Sequence, residues 1–149
     1  KKEAPPPKGP GVSVSLRYPV LLAGNGNLVV KDNEESLTTT TAASGLNFPE
    51  YKAIDSSSAQ YSIRKATPLG QESVWLNMGT KPFRLFLEMK QERKISLEQA
   101  KTLVRGVALE PNAVASRSPH GSEIATERIQ SAQSIAELIE VCRKSWEWR

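Results

Sequence analysis

Residues 82–109, PFRLFLEMKQERKISLEQAKTLVRGVAL, change hydrophobic period midway, and that change constrains the fold more than any other stretch. Phe83, Leu85, Leu87 and Met89 alternate with Arg84, Phe86, Glu88 and Lys90, the period of a half-buried strand. Gln91–Lys94 is too charged for core and reads as a connection. Ser96 then opens Ser-x-x-Gln with Gln99, a capping box that satisfies two orphan amides at a helix start. Leu97, Ala100, Leu103, Val104 and Val107 follow at helical spacing, and Gly106 suits the stop. One apolar face is expected to pass from strand to helix and to wall the rest of the chain.

A second helix is predicted near the carboxyl end. Ser134 and Glu137 form another capping box. Ile135, Leu138, Ile139, Cys142 and Trp146 fall on one stripe, with Glu137, Glu140, Arg143 and Lys144 outside it. Glu140 and Lys144 are spaced for a favourable pair. Glu123–Gln133 fits either a helix through Ile124, Arg128 and Ala132 or a last strand, and Glu110–Ser122 reads as a long loop with one short strand at Ala113–Ala115.

The amino-terminal half reads as strands. Val12, Val14, Leu16 and Tyr18 alternate before an apolar run from Val20 to Ala23, with Pro19 placing the strand at an edge or breaking it. Asn25-Gly26 is a strong hairpin signal, with Leu28–Lys31 returning. Asp32–Glu35 reads as an acidic connection and Leu37–Ala43, with its four threonines, as extended. Phe48 and Trp75 are expected core anchors. Tyr51–Ile54 and Gln60–Ala66 pair around Asp55-Ser56-Ser57-Ser58, where the acid and serines accept from turn amides, and Ile54, Tyr61 and Ile63 point inward.

These elements imply an α+β fold: a twisted, mainly antiparallel sheet with two helices packed on one face. Residues 1–11, with Pro5, Pro6, Pro7 and Pro10, bury nothing and form a flexible Pro/Lys-rich arm; residues 12–149 form a single α+β domain. A chain of 149 residues suffices for one core, and 38% hydrophobic with 6% aromatic side chains makes it mainly aliphatic.

Composition removes several chemistries. One Cys and one His furnish no repeated metal-ligand spacing, so no metal and no cofactor are expected. Cys142 sits on an apolar stripe, which suits packing rather than nucleophilic attack. His120 lies in a Pro-Gly loop, the serine turn lacks a Gly-x-Ser-x-Gly elbow, and Gly24-Asn25-Gly26 lacks a third glycine and a following helix. No catalytic residue is assigned. No apolar run is long enough to span a bilayer. The net charge of +4 is spread as Arg64/Lys65, Arg93/Lys94 and Arg143/Lys144 pairs, each near an acid, so a nucleic-acid partner is not favoured.

The order of Glu35–Ala43 (ESLTTTTAA), Ile54-Asp55-Ser56-Ser57, Tyr61-Ser62-Ile63, the Phe-bearing strand and Ser134–Ile139 resembles small uncharacterised bacterial α+β proteins, some of which look like immunity proteins or accessory factors of secreted toxins. Ser57-Ser58 stands where that pattern would place a glycine. A well-specified fold without a recognisable reaction leads to the expectation of a non-enzymatic bacterial binding or accessory protein, immunity-like in the sense of this resemblance, acting by protein–protein contact on an unknown protein partner. Trp146, Trp148 and Arg149, expected exposed at the carboxyl end, are the partner-binding candidates. Two alternatives stay open: a nucleic-acid accessory protein using the basic arm and Arg93/Lys94, and an enzyme with a cleft around His120. The opening Lys-Lys-Glu-Ala-Pro-Pro-Pro suits a periplasmic lipoprotein trimmed after its lipidated cysteine, and a cytoplasmic location is equally open.

Overall fold

The computed structural model describes residues 10–40, 48–69 and 82–148. Expectations for residues 1–9, Thr41 to Ala43, the Trp75 segment and Arg149 lie outside these. Within them the fold is α+β, with a mixed sheet of seven strands. The strands are β1 (Gly11–Val12), β2 (Val20–Gly24), β3 (Asn27–Lys31), β4 (Thr39–Thr40), β5 (Lys52–Asp55), β6 (Ala59–Pro68) and β7 (Phe83–Lys94). Their order is β1-β7-β6-β5-β2-β3, with β4 also paired to β7; only β1 runs parallel to its neighbour. The helices are α1 (Glu34–Leu37), α2 (Leu97–Ala108), α3 (Pro119–Ser131) and α4 (Ile135–Arg143).

The β2–β3 hairpin forms as its turn chemistry requires. Asn25 and Gly26 take φ of 49° and 75°, and Gly24 pairs directly with Asn27. Two positive φ values match the turn's twist to that of the strands. Pro19 ends the preceding segment rather than marking an edge, because β2 lies between β5 and β3. Asp32–Glu35 is not a bare connection. Asn33 accepts from the Ser36 amide at 2.7 Å and caps α1, while Ser36 Oγ accepts from the Asn33 amide in return.

Alternation along β2 and β5 feeds two cores. Leu21 and Ile54 point to one face, where they meet Val104, Ile129, Leu138, Ile139 and Cys142 from the helices. Val20, Leu22 and Ala53 point to the other, where they meet Leu37, Phe48, Tyr61, Ile63, Leu85 and Leu87. The expected continuity from β7 into α2 is therefore corrected. Leu85, Leu87 and Met89 bury in the second core, while Ala100, Val104 and Ala108 of α2 bury in the first. The strand also runs through to Lys94, since Gln91–Lys94 pairs with β6 despite its charge. Ladder hydrogen bonds need only backbone, so an exposed polar strand end is compatible with pairing.

The helical layer holds a third helix besides the two expected. α2 and α4 both touch β2 and β3, and α3 packs on α2 and α4. α3 begins inside the expected loop: Ser118 accepts from the Gly121 amide and Pro119 occupies the first turn. Proline there loses no helical hydrogen bond, so it opens this helix instead of excluding one. Its buried stripe is Gly121, Ala125 and Ile129; of the expected Ile124, Arg128 and Ala132, Ala132 is buried just past the helix end, Ile124 packs partly against the core and Arg128 is exposed. Val114–Arg117 is a 3-10 turn, not a strand. Gly106 lies within α2, which runs two residues further.

Candidate functional site

Among the described residues β3 is the last strand of the path, so one side of it pairs with β2 and the other pairs with no strand. In a two-residue hairpin the closing pair Gly24–Asn27 and every second pair exchange hydrogen bonds. Leu28 and Val30 thus turn their amides and carbonyls away from β2. The carboxyl-terminal 3-10 turn (Ser145–Glu147) reaches this edge: Ser145 Oγ donates to the Leu28 carbonyl at 3.3 Å. Among the described residues, Val30 makes no backbone hydrogen bond outside the β2–β3 ladder.

Between this edge and the helices lies a cleft of about 330 Å³, lined by Leu28, Val30, Ala115, Arg143, Trp146 and Trp148. Its end is held by the hairpin, because Asn112 Nδ2 donates to the Asn25 carbonyl at 2.9 Å. Its wall is held by Arg143, which donates to both Asp32 oxygens at 2.9 and 2.8 Å and to Glu140 at 3.0 Å. These hydrogen bonds, and then the Arg143 charge, keep the Asp32 and Glu140 carboxyls below their usual range and raise the guanidinium still further. Glu140 therefore pairs with Arg143, three residues on, rather than with Lys144.

The two tryptophans separate. α4 ends at Arg143, so Trp146 leaves the helical stripe and stands 61% exposed at the cleft. Trp148 was expected exposed. It is only 4% exposed, packed in the helix-side core, because its amide donates to the Ser145 carbonyl and the turn swings its ring inward. Arg149 lies outside the described residues.

The side chains weighed for catalysis do not assemble. His120 is exposed in the first turn of α3. Cys142 is fully buried, and burial pushes its thiol up to about 12. Asp55, 1% exposed, accepts from the amides of Arg17, Ser57 and Ala59 at 3.1, 3.0 and 3.2 Å, so its role is to hold the turn, as expected. Among the described residues no three His, Cys, Asp or Glu side chains gather as metal ligands, and no helix is long and apolar enough to cross a membrane.

Periodicity led to Trp146 but not to the β3 edge, whose readable sign was the Asn25-Gly26 hairpin followed by a helix instead of a third strand. Comparison with protein-family models, with curated proteins and with solved structures finds no match to this chain.

Proposed function

We propose that the chain is a non-enzymatic binding protein that takes an extended segment of a partner protein along the outer edge of β3. The observation that carries this reading is the outward-turned backbone of Val30 and the outward amide of Leu28, whose carbonyl Ser145 already holds, beside the exposed Trp146. Strand addition draws affinity from main-chain hydrogen bonds and specificity from pockets that take alternate side chains. The cleft supplies such a pocket, and Trp146 supplies a rigid apolar contact of the kind that dominates interfaces. Trp148 serves from beneath, as part of the packing that holds the turn in place. The narrower idea of an immunity-like partner of a secreted toxin is supported by the sequence resemblance alone.

The test is selection of a displayed random-peptide library on the folded chain. Extended, β-branched or aromatic peptides should enrich, and Trp146→Ala should weaken them at least about tenfold, equivalent to about 1.4 kcal/mol. Val30→Pro, which removes an outward amide, should act in the same direction. No enrichment, or peptides indifferent to both variants, would refute the reading.

A further inference from the structure

The ladder between β6 and β7 carries two register shifts, one between Gln60 and Tyr61 and one between Ile63 and Lys65. At each, an extra residue is inserted: Glu92 in β7 and Arg64 in β6. A bulge sets two consecutive residues against one on the neighbouring strand and re-aims their side chains. Here both bulges act on charged residues. Gln60 donates to Glu92 at 2.8 Å and accepts from Arg93 Nε at 3.3 Å, so two consecutive side chains of β7 meet one side chain of β6. Lys52 Nζ, from β5, joins them at 2.8 Å from Glu92. Arg64 is close enough to act on the same carboxylate, which the Lys52 hydrogen bond, above all, holds below its usual range. Three strands thus bring Lys52, Arg64 and Arg93 around one acid.

Alternation extends the face. Tyr61, Ile63, Leu87 and Met89 fill the core on the inner side, so Ser62, Phe86, Glu88 and Lys90 lie on the outer side. Lys65 pairs with Glu88 after the second bulge. Arg64, Lys65, Lys90 and Arg93 are all exposed, and Phe86 is half-buried and belongs to neither core. The first core draws its strand residues from β2, β3 and β5, so the helices cover that part of the sheet and leave these cations open. Among the described residues of β6 and β7, Glu88 and Glu92 are the acids on this face. On a chain whose whole formal charge is +4, the excess of cations here is a concentration, not a sprinkling.

The geometry points to the outer face of β6 and β7 as a binding surface for single-stranded nucleic acid, with phosphates on Arg64, Lys65, Lys90 and Arg93 and a base on Phe86. The register sets Lys65 opposite Glu88, Lys90 opposite Ser62 and Arg93 opposite Gln60, so the cations are staggered along the two strands at intervals of about 6.8 Å or more, a row that a continuous polyanion can track. Arginine meets phosphate with a planar fork. A duplex hides its base faces, whereas a single strand offers them to an aromatic ring such as Phe86, which shares this face of the sheet with the cations. This surface is distinct from the β3 edge.

The experiment is fluorescence anisotropy of the full chain with a labelled 20-nucleotide oligo(dT), from low to moderate salt. Binding should weaken steeply with salt. The double variant Arg64→Gln/Arg93→Gln should lose at least tenfold in affinity and flatten the log–log salt slope by about 1.4, for two phosphate contacts on a single strand. Phe86→Leu should lose about tenfold with the slope unchanged. All three substituted side chains lie at or near the surface, and thermal melting confirms that the variants fold. No binding at low salt, equal or tighter binding of a 20-base-pair duplex, binding indifferent to the double variant, or a preference for vesicles of anionic lipid would each overturn the inference.

Discussion

Arg143 holds both carboxylate oxygens of Asp32, a residue 111 positions earlier, and so ties the last turn of α4 to the chain leaving β3. The pair is exposed, and its value is positional: it fixes one wall of the cleft beside Trp146. Exposed pairs contribute modestly and are screened by salt.

The pH dependence of stability follows from that contact. The Asp32 and Glu140 carboxyls are both held low, first by hydrogen bonds from Arg143. A depressed folded pKa gives stability that is fully present above the unfolded carboxylate values of about 3.9–4.3 and is lost as pH falls through the folded values. The melting temperature should therefore drop on acidification below about pH 5, and Arg143→Met should make that drop shallower. Thermal scans from pH 7 to pH 3 check this; parallel curves for the two proteins would contradict it.

Asp55 should be among the costliest single losses. Its buried carboxylate accepts from the amides of Arg17, Ser57 and Ala59. Asp55→Ala would leave these without their partner, at about 3–5 kcal/mol. Urea denaturation measures the change, and Asp55→Asn should fall between the two.

Two glycines should respond with opposite sign. A Cβ on Gly24 would lie 2.5 Å from the Glu50 carbonyl oxygen and 2.9 Å from Tyr51 Cα, both backbone. Gly24→Ala should destabilise by about 1–3 kcal/mol. Gly106 is helical with nothing within 4 Å of an added Cβ, so Gly106→Ala should stabilise by about 0.5–1 kcal/mol. Denaturant midpoints of the two variants should move in opposite directions.

The tryptophans should divide structure from contact. Trp148→Ala should cost about 3–5 kcal/mol, as expected for a buried aromatic. Trp146→Ala should change stability by no more than about 0.5 kcal/mol while weakening peptide binding. Equal melting losses in both would argue against the separation.

Cys142 offers a probe of opening. A thiol raised to about 12 by burial is almost wholly protonated at pH 8. Its reaction with a chromogenic disulfide should be slow in the native state and accelerate sharply through the unfolding transition. Rapid labelling under native conditions would show that α4 leaves the sheet readily.

Local signals carried the fold class. The Asn25-Gly26 hairpin, the Ser96–Gln99 capping box and the stripe from Ile135 to Cys142 each specify their element by chemistry within a few residues, and each is present. Ser134 caps α4 as read, although Glu137 returns to the Gln133 amide, one residue before the cap. The errors came where one residue type serves opposite ends of a helix. Pro119 falls in the stretch expected as a loop and Gly106 at the expected stop, yet one lies in a first turn and the other inside a last turn.

What local pattern does not carry is which core an apolar face enters. Leu87 and Val104 both read as buried, and both are, but on opposite sides of the sheet. The basic face was hidden for a related reason. Arg64 and Arg93 are far apart in sequence, and only the β6–β7 register with its two bulges brings them around Glu92.

The strand Val20–Gly24 is buried at all five positions, with alternate side chains committed to opposite cores. It has no solvent side on which to absorb an error. Inserting or deleting one residue there would exchange Leu21 for Leu22 in both interiors at once. Evolution can lengthen the loops of such a chain freely, while this short strand admits changes only in pairs that leave its phase intact.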